Sequence, residues 1–583
     1  MKKNITETFY IMSDFKKHIP FLLFLFLVLS MLDIVGLSLV APYLSILSGS
    51  TEAASSSFGF VYDFFAIAGS KESQLITFGY LLVAAFTLKS FFIYVINKKV
   101  LRFGNDNMIA VRNKLMVNYQ SMPYSEFIKK NSADYINVII NLTNSLSIVL
   151  ANALKLISDV LIGSSILILL MIVDIVMLME LLVILFSVVW AYDRVFRKRL
   201  YLYGETINNS SEIILRRLKE SFEGFKEIRV LGNEKYFYDI VKKNTVRNAE
   251  SGLKASLIST MPRYIVELIM LVFIVAVVFL AILFSDHGVD RVTSSIILFG
   301  VASVRLIPIF SGVSSGISSI RHHGHSISSL YQDLKNIKYE KSEINKPEKV
   351  SCEPFNELIL SDISFRYHEA NKSSISNISL KLKPNEAIGI IGESGSGKTT
   401  LINIMLGLLS PDSGKISYNG TPFSEGISNW LSQVAYLPQQ VFLVDGTLCE
   451  NIALGEEHVD NKRIIQALRK SKLLDWANDL PNGIKTVVGE AGIRLSGGQR
   501  QRVALARAFY FKRSVLVMDE ATSALDNKTE KEIVDEIHSI KGQMTIIVIA
   551  HRLSTVKYCD RIYRLDNGSI IQDGSYDQVI GKD

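Results

Sequence analysis

The sequence predicts two domains of different class: an α-helical transmembrane domain with six spans over residues 1–330 and an α/β P-loop domain over 357–583, joined by a linker at 331–356. Three observations carry this. The chain has 583 residues, far more than one ordinary domain. Apolar runs of membrane-spanning length crowd the first 313 residues. A strand, a glycine-rich loop and a helix follow one another at 387–403.

Composition agrees with this division. The chain is 49% hydrophobic, with a mean hydropathy of +0.27. The net charge of +7 is what basic loops beside membrane spans supply, and nucleic acid is not expected as a partner. Cys352, Cys449 and Cys559 lie in the second half without metal-ligand spacing, so free thiols in a reducing compartment are expected. The first apolar stretch is too long for a cleavable signal peptide.

The spans are expected at 19–47, 74–97, 153–173, 174–192, 257–284 and 292–313, with the third and fourth meeting at Asp174. Orientation follows from the basic residues. Lys2, Lys3, Lys16 and Lys17 precede the first span, Lys98, Lys99, Arg102, Arg112 and Lys114 follow the second, and Arg194, Arg197, Lys198 and Arg199 follow the fourth. Positive charge stays on the cytoplasmic side, so both termini are expected there. Residues 98–150 and 193–256 are too long for simple loops and keep helical apolar spacing. They read as helical extensions with turns at Pro123–Ser125 and Glu223–Gly224; a pair of ordinary helical hairpins is the alternative.

Beyond residue 357, short β-branched runs alternate with helical segments, as in a parallel α/β sheet. The run Ala387–Ile391 reads as a buried strand leading into Gly392, Glu393, Ser394, Gly395, Ser396, Gly397, Lys398 and Thr399, a full G-x-x-x-x-G-K-[ST] loop. Its glycines let backbone N–H groups turn inward around phosphate oxygens. Lys398 offers a charge to the β- and γ-phosphates and Thr399 a hydroxyl to Mg²⁺. Thr400 opens a helix whose N-terminus faces the anion. A second strand, Val515–Met518, ends in Asp519 and Glu520. The first carboxylate suits a Mg²⁺ water shell, and the second can orient an attacking water.

Here the sequence resembles the ABC transporter superfamily. Leu495, Ser496, Gly497, Gly498 and Gln499 spell its signature unchanged. The resemblance implies that Tyr367 stacks on adenine, that Gln439 senses Mg²⁺ and that His551 contacts the γ-phosphate. It also implies that Glu490 lies in the loop touching the cytoplasmic helices, and that Ser523–Asp526 cross a dimer interface. The expected catalytic residues are therefore Glu520, His551, Gln439 and Lys398. Tyr367, residues 392–400, Gln439, Ser496–Gln499 and Asp519 are expected to bind ATP, with Thr399, Gln439 and Asp519 on Mg²⁺. A single P-loop and a single signature per chain imply a homodimer with two composite sites, in which a signature from one chain closes on the P-loop of the other. A heterodimer with a relative is the alternative.

A membrane domain fused ahead of the ATPase looks like an exporter or flippase; a soluble ATPase acting on nucleic acid would carry no six spans. Ionisable residues inside the spans are costly there and mark function or structural pairing. They are Asp33, Lys89, Lys155, Asp159, Glu180, Arg263, Glu267 and Arg305. Lys155 with Asp159, and Arg263 with Glu267, are spaced to pair on one helix face. Lys89 and Arg305 lie roughly 22 and 20 Å in from the outer ends of their spans, and Arg263 roughly 9 Å in from an inner end. Two readings are open: a cationic belt for an anionic headgroup, or charges that snorkel or pair structurally. The segments Pro262–Glu267 and Arg305–Pro308 resemble those of bacterial lipid-linked oligosaccharide flippases. That resemblance implies a polyprenyl-diphosphate-linked oligosaccharide turned from the inner to the outer leaflet of a bacterial inner membrane. The alternative is a general lipid, drug or peptide exporter. Arg321–His325 read as a solvated helix face rather than a metal site.

Overall fold

The computed structural model describes residues 2–12, 16–48, 71–173, 175–284, 290–336, 353–367, 372–489, 495–521, 527–550 and 552–581. The chain divides into two compact units. One comprises Met1–Met122 and Phe127–Ser342, the other Pro123–Glu126 and Glu343–Asp583.

Among the described residues of the first unit, six helices are long and apolar enough to cross a membrane. They lie in Lys16–Val40, Glu72–Ser121, Ser132–Ile172, Ile175–Glu223, Glu234–Phe279 and Phe299–His322, each overlapping an expected span. The third helix ends at Val173 and the fourth starts at Ile175; Asp174 lies outside the described residues. Lys71–Ser121, Ile175–Glu223 and Glu234–Phe284 run for 51, 49 and 51 residues. At about 1.5 Å per residue each is more than twice as long as a bilayer core of about 30 Å is thick. The extensions are thus continuous with the spans. Their turns fall where expected, leading into short helices at Tyr124–Phe127 and Phe225–Leu231. Gly232 ends the second with φ 66°, a left-handed conformation that glycine adopts without strain.

Phe26, Phe78, Leu115, Leu146, Ile166 and Leu306 are fully buried among the helices. Tyr80, Val83, Phe91, Ile172, Phe186 and Leu268 stay exposed, as lipid-facing positions should. The fourth and sixth helices cross closely: a Cβ at Gly204 would stand 1.8 Å from the His322 carbonyl oxygen. The third helix opens with a π-helical stretch, Val138–Leu142. Arg112 of the second helix donates to the carbonyls of Ile139 and Ile140, each at 3.0 Å, and to Thr143 Oγ1 at 2.8 Å. Those contacts satisfy carbonyl groups at the wider π turn.

One expectation is corrected here. His322, His323 and His325 do not form a solvated face; they are half-buried at the helix crossing, and burial pushes His323 down to about 4. Gly324–Asn336 of the membrane unit is a further helix, with Ile327, Leu330 and Leu334 packed inward.

The second unit holds two sheets. A six-stranded sheet has the order β10-β9-β3-β8-β7-β6. Its strands are β3 (Ala387–Gly392), β6 (Val434–Leu437), β7 (Val515–Asp519), β8 (Thr545–Ile549), β9 (Arg561–Asp566) and β10 (Ser569–Gly574). All neighbours are parallel except the β9–β10 hairpin. β7 and β8 are buried at every position, as strands covered on both faces must be. A four-stranded antiparallel sheet has the order β2-β1-β4-β5, from β1 (Leu358–Phe365), β2 (Ile375–Leu382), β4 (Ser413–Tyr418) and β5 (Thr421–Pro422). Trp430, fully buried, donates from Nε1 to the Met405 carbonyl at 2.7 Å.

Candidate functional site

β3 and β7 bring their C-terminal ends to one edge of the six-stranded sheet, where α/β folds place ligands. A cleft opens there, lined by Lys372–Ser374, Ser394, Gly395, Gly397–Thr400, Glu520, Asn567 and Gly568. The loop turns tightly, with φ of 82° at Gly395 and 101° at Gly397. A Cβ at Gly397 would come within 2.6 Å of the Ser374 carbonyl oxygen, and one at Gly392 within 2.3 Å of the Leu565 carbonyl oxygen. Only glycine lets the loop sit this close to its neighbours.

Lys398, 5% exposed, donates from Nζ to the carbonyls of Gly392 and Glu393, each at 2.9 Å. Burial lowers its pKa; Glu520 and Asp519 oppose that shift. The Ser396 hydroxyl is buried with no hydrogen-bond partner among the described residues. A helix, Lys398–Met405, begins at the loop and directs its free N–H groups toward it. The donor set and the glycine cradle fit a polyphosphate.

Across the cleft Glu520 has φ 49°, a conformation uncommon for a side-chain-bearing residue and typical of strained functional positions. Its backbone N–H donates to the Ile549 carbonyl at 3.1 Å, and Gln439 donates from Nε2 to its carboxylate at 3.3 Å. Asp519 accepts from the Tyr436 hydroxyl at 3.1 Å. Burial raises the Asp519 pKa, a shift that the Tyr436 hydrogen bond counteracts. The Tyr367 hydroxyl lies 3.4 Å from Thr400 Oγ1, and its ring packs edge-on against Phe365. The structure thus gathers the P-loop, Gln439, Asp519, Glu520 and Tyr367 at one place.

Ser496–Gln499 do not line that cleft. Ser496 caps the helix Gly497–Tyr510 and exchanges hydrogen bonds with Gln499 in a capping box. His551, Glu490 and Ser523–Asp526 lie outside the described residues, as does Cys352; Cys449 and Cys559 are free thiols.

Three features escaped the sequence reading. Tyr436 holds Asp519 from β6. Gln501 donates to the carbonyls of Pro438 and Gln439, tying the signature helix to the glutamine loop. Asn567-Gly568, an Asn-Gly hairpin signal, closes one wall of the cleft; a search for turns would have found it.

In the membrane unit, Lys89 forms a buried ion pair with Asp33. Arg305 places its guanidinium 4.8 Å from the centre of the Phe86 ring. The expected helix-face pairs do not close. Lys155 is exposed, while the Asp159 Oδ2 turns toward Gly312 and has no hydrogen-bond partner among the described residues. Arg263 and Glu267 are both exposed.

The profile of the ABC transporter transmembrane region matches residues 38–306, and that of the ABC transporter matches 375–523. This chain belongs to the ABC transporter family. Its membrane region and its ATPase region occupy one chain, as in a fused half-transporter of exporter type. Curated relatives include the ATP-dependent lipid A-core flippase of Saccharophagus degradans, 32% identical over 62% of this chain and 61% of its own length. That of Coxiella burnetii is 30% identical over 66% of this chain and 65% of its own length. The matched stretch covers less than two thirds of either relative. A solved bacterial Atm1-family ABC exporter with ATP bound shares the fold, with a TM-score of 0.77 and 19% identity over 97% of this chain and 96% of that one. The ABC transporter chain described here is a multi-pass integral membrane protein.

Proposed function

We propose that this ABC transporter hydrolyses ATP to move an anionic amphiphile from the cytoplasmic to the outer leaflet of a bacterial inner membrane, with both termini cytoplasmic. The observation that carries this reading is Glu520, held at φ 49° and bonded to Gln439 on the rim of the P-loop cleft, in a chain whose described residues also include six apolar helices.

Lys398 and the N–H groups of residues 392–400 bind the phosphates of ATP, and Tyr367 receives the adenine. Thr399, Gln439 and Asp519 would hold Mg²⁺, which supplies charge neutralisation at the β- and γ-phosphates. Glu520 orients the attacking water, with Gln439 fixing its carboxylate and His551 contacting the γ-phosphate. Ser496–Gln499 complete the site on the partner chain of a homodimer. Two features support the dimer. The signature lies off the cleft of its own chain, and the turn at 222–231 leaves Phe222, Phe225, Val230 and Leu231 at 62–86% exposure in a single chain.

Relatives named for lipid A-core support a lipid cargo. Of the intramembrane cations Lys89, Arg263 and Arg305, the last two are proposed to face its anionic headgroup, since Lys89 is paired with Asp33. A polyprenyl-diphosphate-linked oligosaccharide is the finer proposal. The test is ATP-dependent translocation of a prenyl-diphosphate lipid in proteoliposomes. A rate unchanged by ATP, or equal for a neutral lipid, would reject the reading.

A further inference from the structure

We infer that Asp33 is a counter-ion that masks Lys89, so that Arg305 alone offers its cluster's free positive charge to an anionic headgroup. This rests on the anionic-cargo reading above and sharpens it.

Asp33 on the first span and Lys89 on the second are 5% and 7% exposed and form an ion pair. Phe86 lies one turn before Lys89. Its ring centre is 5.8 Å from Lys89 Nζ and 4.8 Å from Arg305 Cζ, so both cations neighbour one ring. The ring lies against Gly36, where a Cβ would stand 3.6 Å away, one turn beyond Asp33. Three spans therefore meet in one cluster. Arg305 is half-buried and forms no ion pair among the described residues.

The charge count decides what this cluster can recognise. One carboxylate and two cations leave one net positive charge per chain. A lysine buried in the bilayer without a counter-ion is costly. Asp33 removes that penalty and also withdraws Lys89 from competition for a ligand's oxygens. Arg305 keeps its charge beside an aromatic face, and guanidinium binds phosphate oxygens in a bidentate fork. An amphiphile with a phosphate-type headgroup fits this cation. A site in which both cations were free would bind the same headgroup more tightly and release it more slowly.

The experiment uses full-length protein in phosphatidylcholine nanodiscs, with a short-chain prenyl diphosphate and the matching prenyl alcohol as probes. Wild type is expected to prefer the diphosphate, and Arg305→Gln to lose that preference. Asp33→Asn unmasks Lys89 and is expected to tighten diphosphate binding about 10-fold, equivalent to one added charge-assisted contact, with no change for the alcohol. Asp33→Asn/Lys89→Gln buries no lone charge and decides the matter if the single variant does not fold; it must keep the diphosphate preference. Loss of preference in the double variant, or unchanged diphosphate affinity in Asp33→Asn with wild-type preference intact, overturns the masking role alone. Equal binding of the two probes by wild type overturns the anionic-cargo reading and this inference with it.

Discussion

Lys398 and Lys89 are both buried lysines, and the two units stabilise them in opposite ways. Lys398 lies against two backbone carbonyls, with Asp519 and Glu520 acting on it through space. Lys89 lies against a carboxylate. Carbonyl dipoles steady an ammonium without cancelling its charge, so Lys398 keeps the charge that the proposed polyphosphate site requires. A carboxylate cancels the charge, and Lys89 presents little field to its surroundings. Two lysines of similar burial are therefore different instruments, one for binding and one for setting local charge. Position among neighbours, not residue type, decides which.

The comparison can be broken at several points. The largest expected effect is at the ATPase site. Glu520→Gln should lower steady-state ATP hydrolysis by at least about 10²-fold while nucleotide binding persists, since positioning the attacking water contributes about 10²–10⁴. Near-wild-type turnover would reassign the role. In the membrane unit, Lys89→Met leaves Asp33 buried without its partner and should cost about 3–5 kcal/mol. Thermal unfolding in detergent checks this, and Asp33→Asn/Lys89→Met should recover most of the loss. A smaller effect is expected at the helix crossing. Gly204→Ala drives a methyl into the His322 carbonyl and should cost about 1–3 kcal/mol by forcing the helices apart. The smallest is Tyr436→Phe, which removes one hydrogen bond from Asp519. A loss of about 1 kcal/mol corresponds to roughly a fivefold weaker Mg²⁺ dependence of hydrolysis.

The two units also differ in how far their chemistry could be read along the chain. The P-loop residues 392–399 are contiguous because a phosphate cradle is a local backbone shape, so the motif and the proposed site coincide. Asp519 and Glu520 were legible for the same reason, at the end of an apolar strand. Tyr436 was not, because its partner lies 83 residues away and no local pattern marks the contact. The spans were visible from apolar run length, and the turns at Pro123 and Gly224 from their breakers. Intramembrane pairing was not legible. Spacing of four residues made Lys155–Asp159 and Arg263–Glu267 the natural pairs, yet the pair that forms joins Asp33 to Lys89 across 56 residues. Helical spacing gives proximity on one cylinder, whereas packing of several cylinders decides which charges meet. The histidines at 322–325 were misjudged for the same reason, since the close approach at Gly204 buries them.

The most direct test is the movement of a fluorescent prenyl-diphosphate lipid in proteoliposomes, scored by quenching from outside. ATP should accelerate its transfer in wild type, and Glu520→Gln should reduce it to the rate of protein-free vesicles. Equal transfer in wild type and Glu520→Gln, or transfer indifferent to ATP, would contradict the coupling of this ATPase to lipid movement.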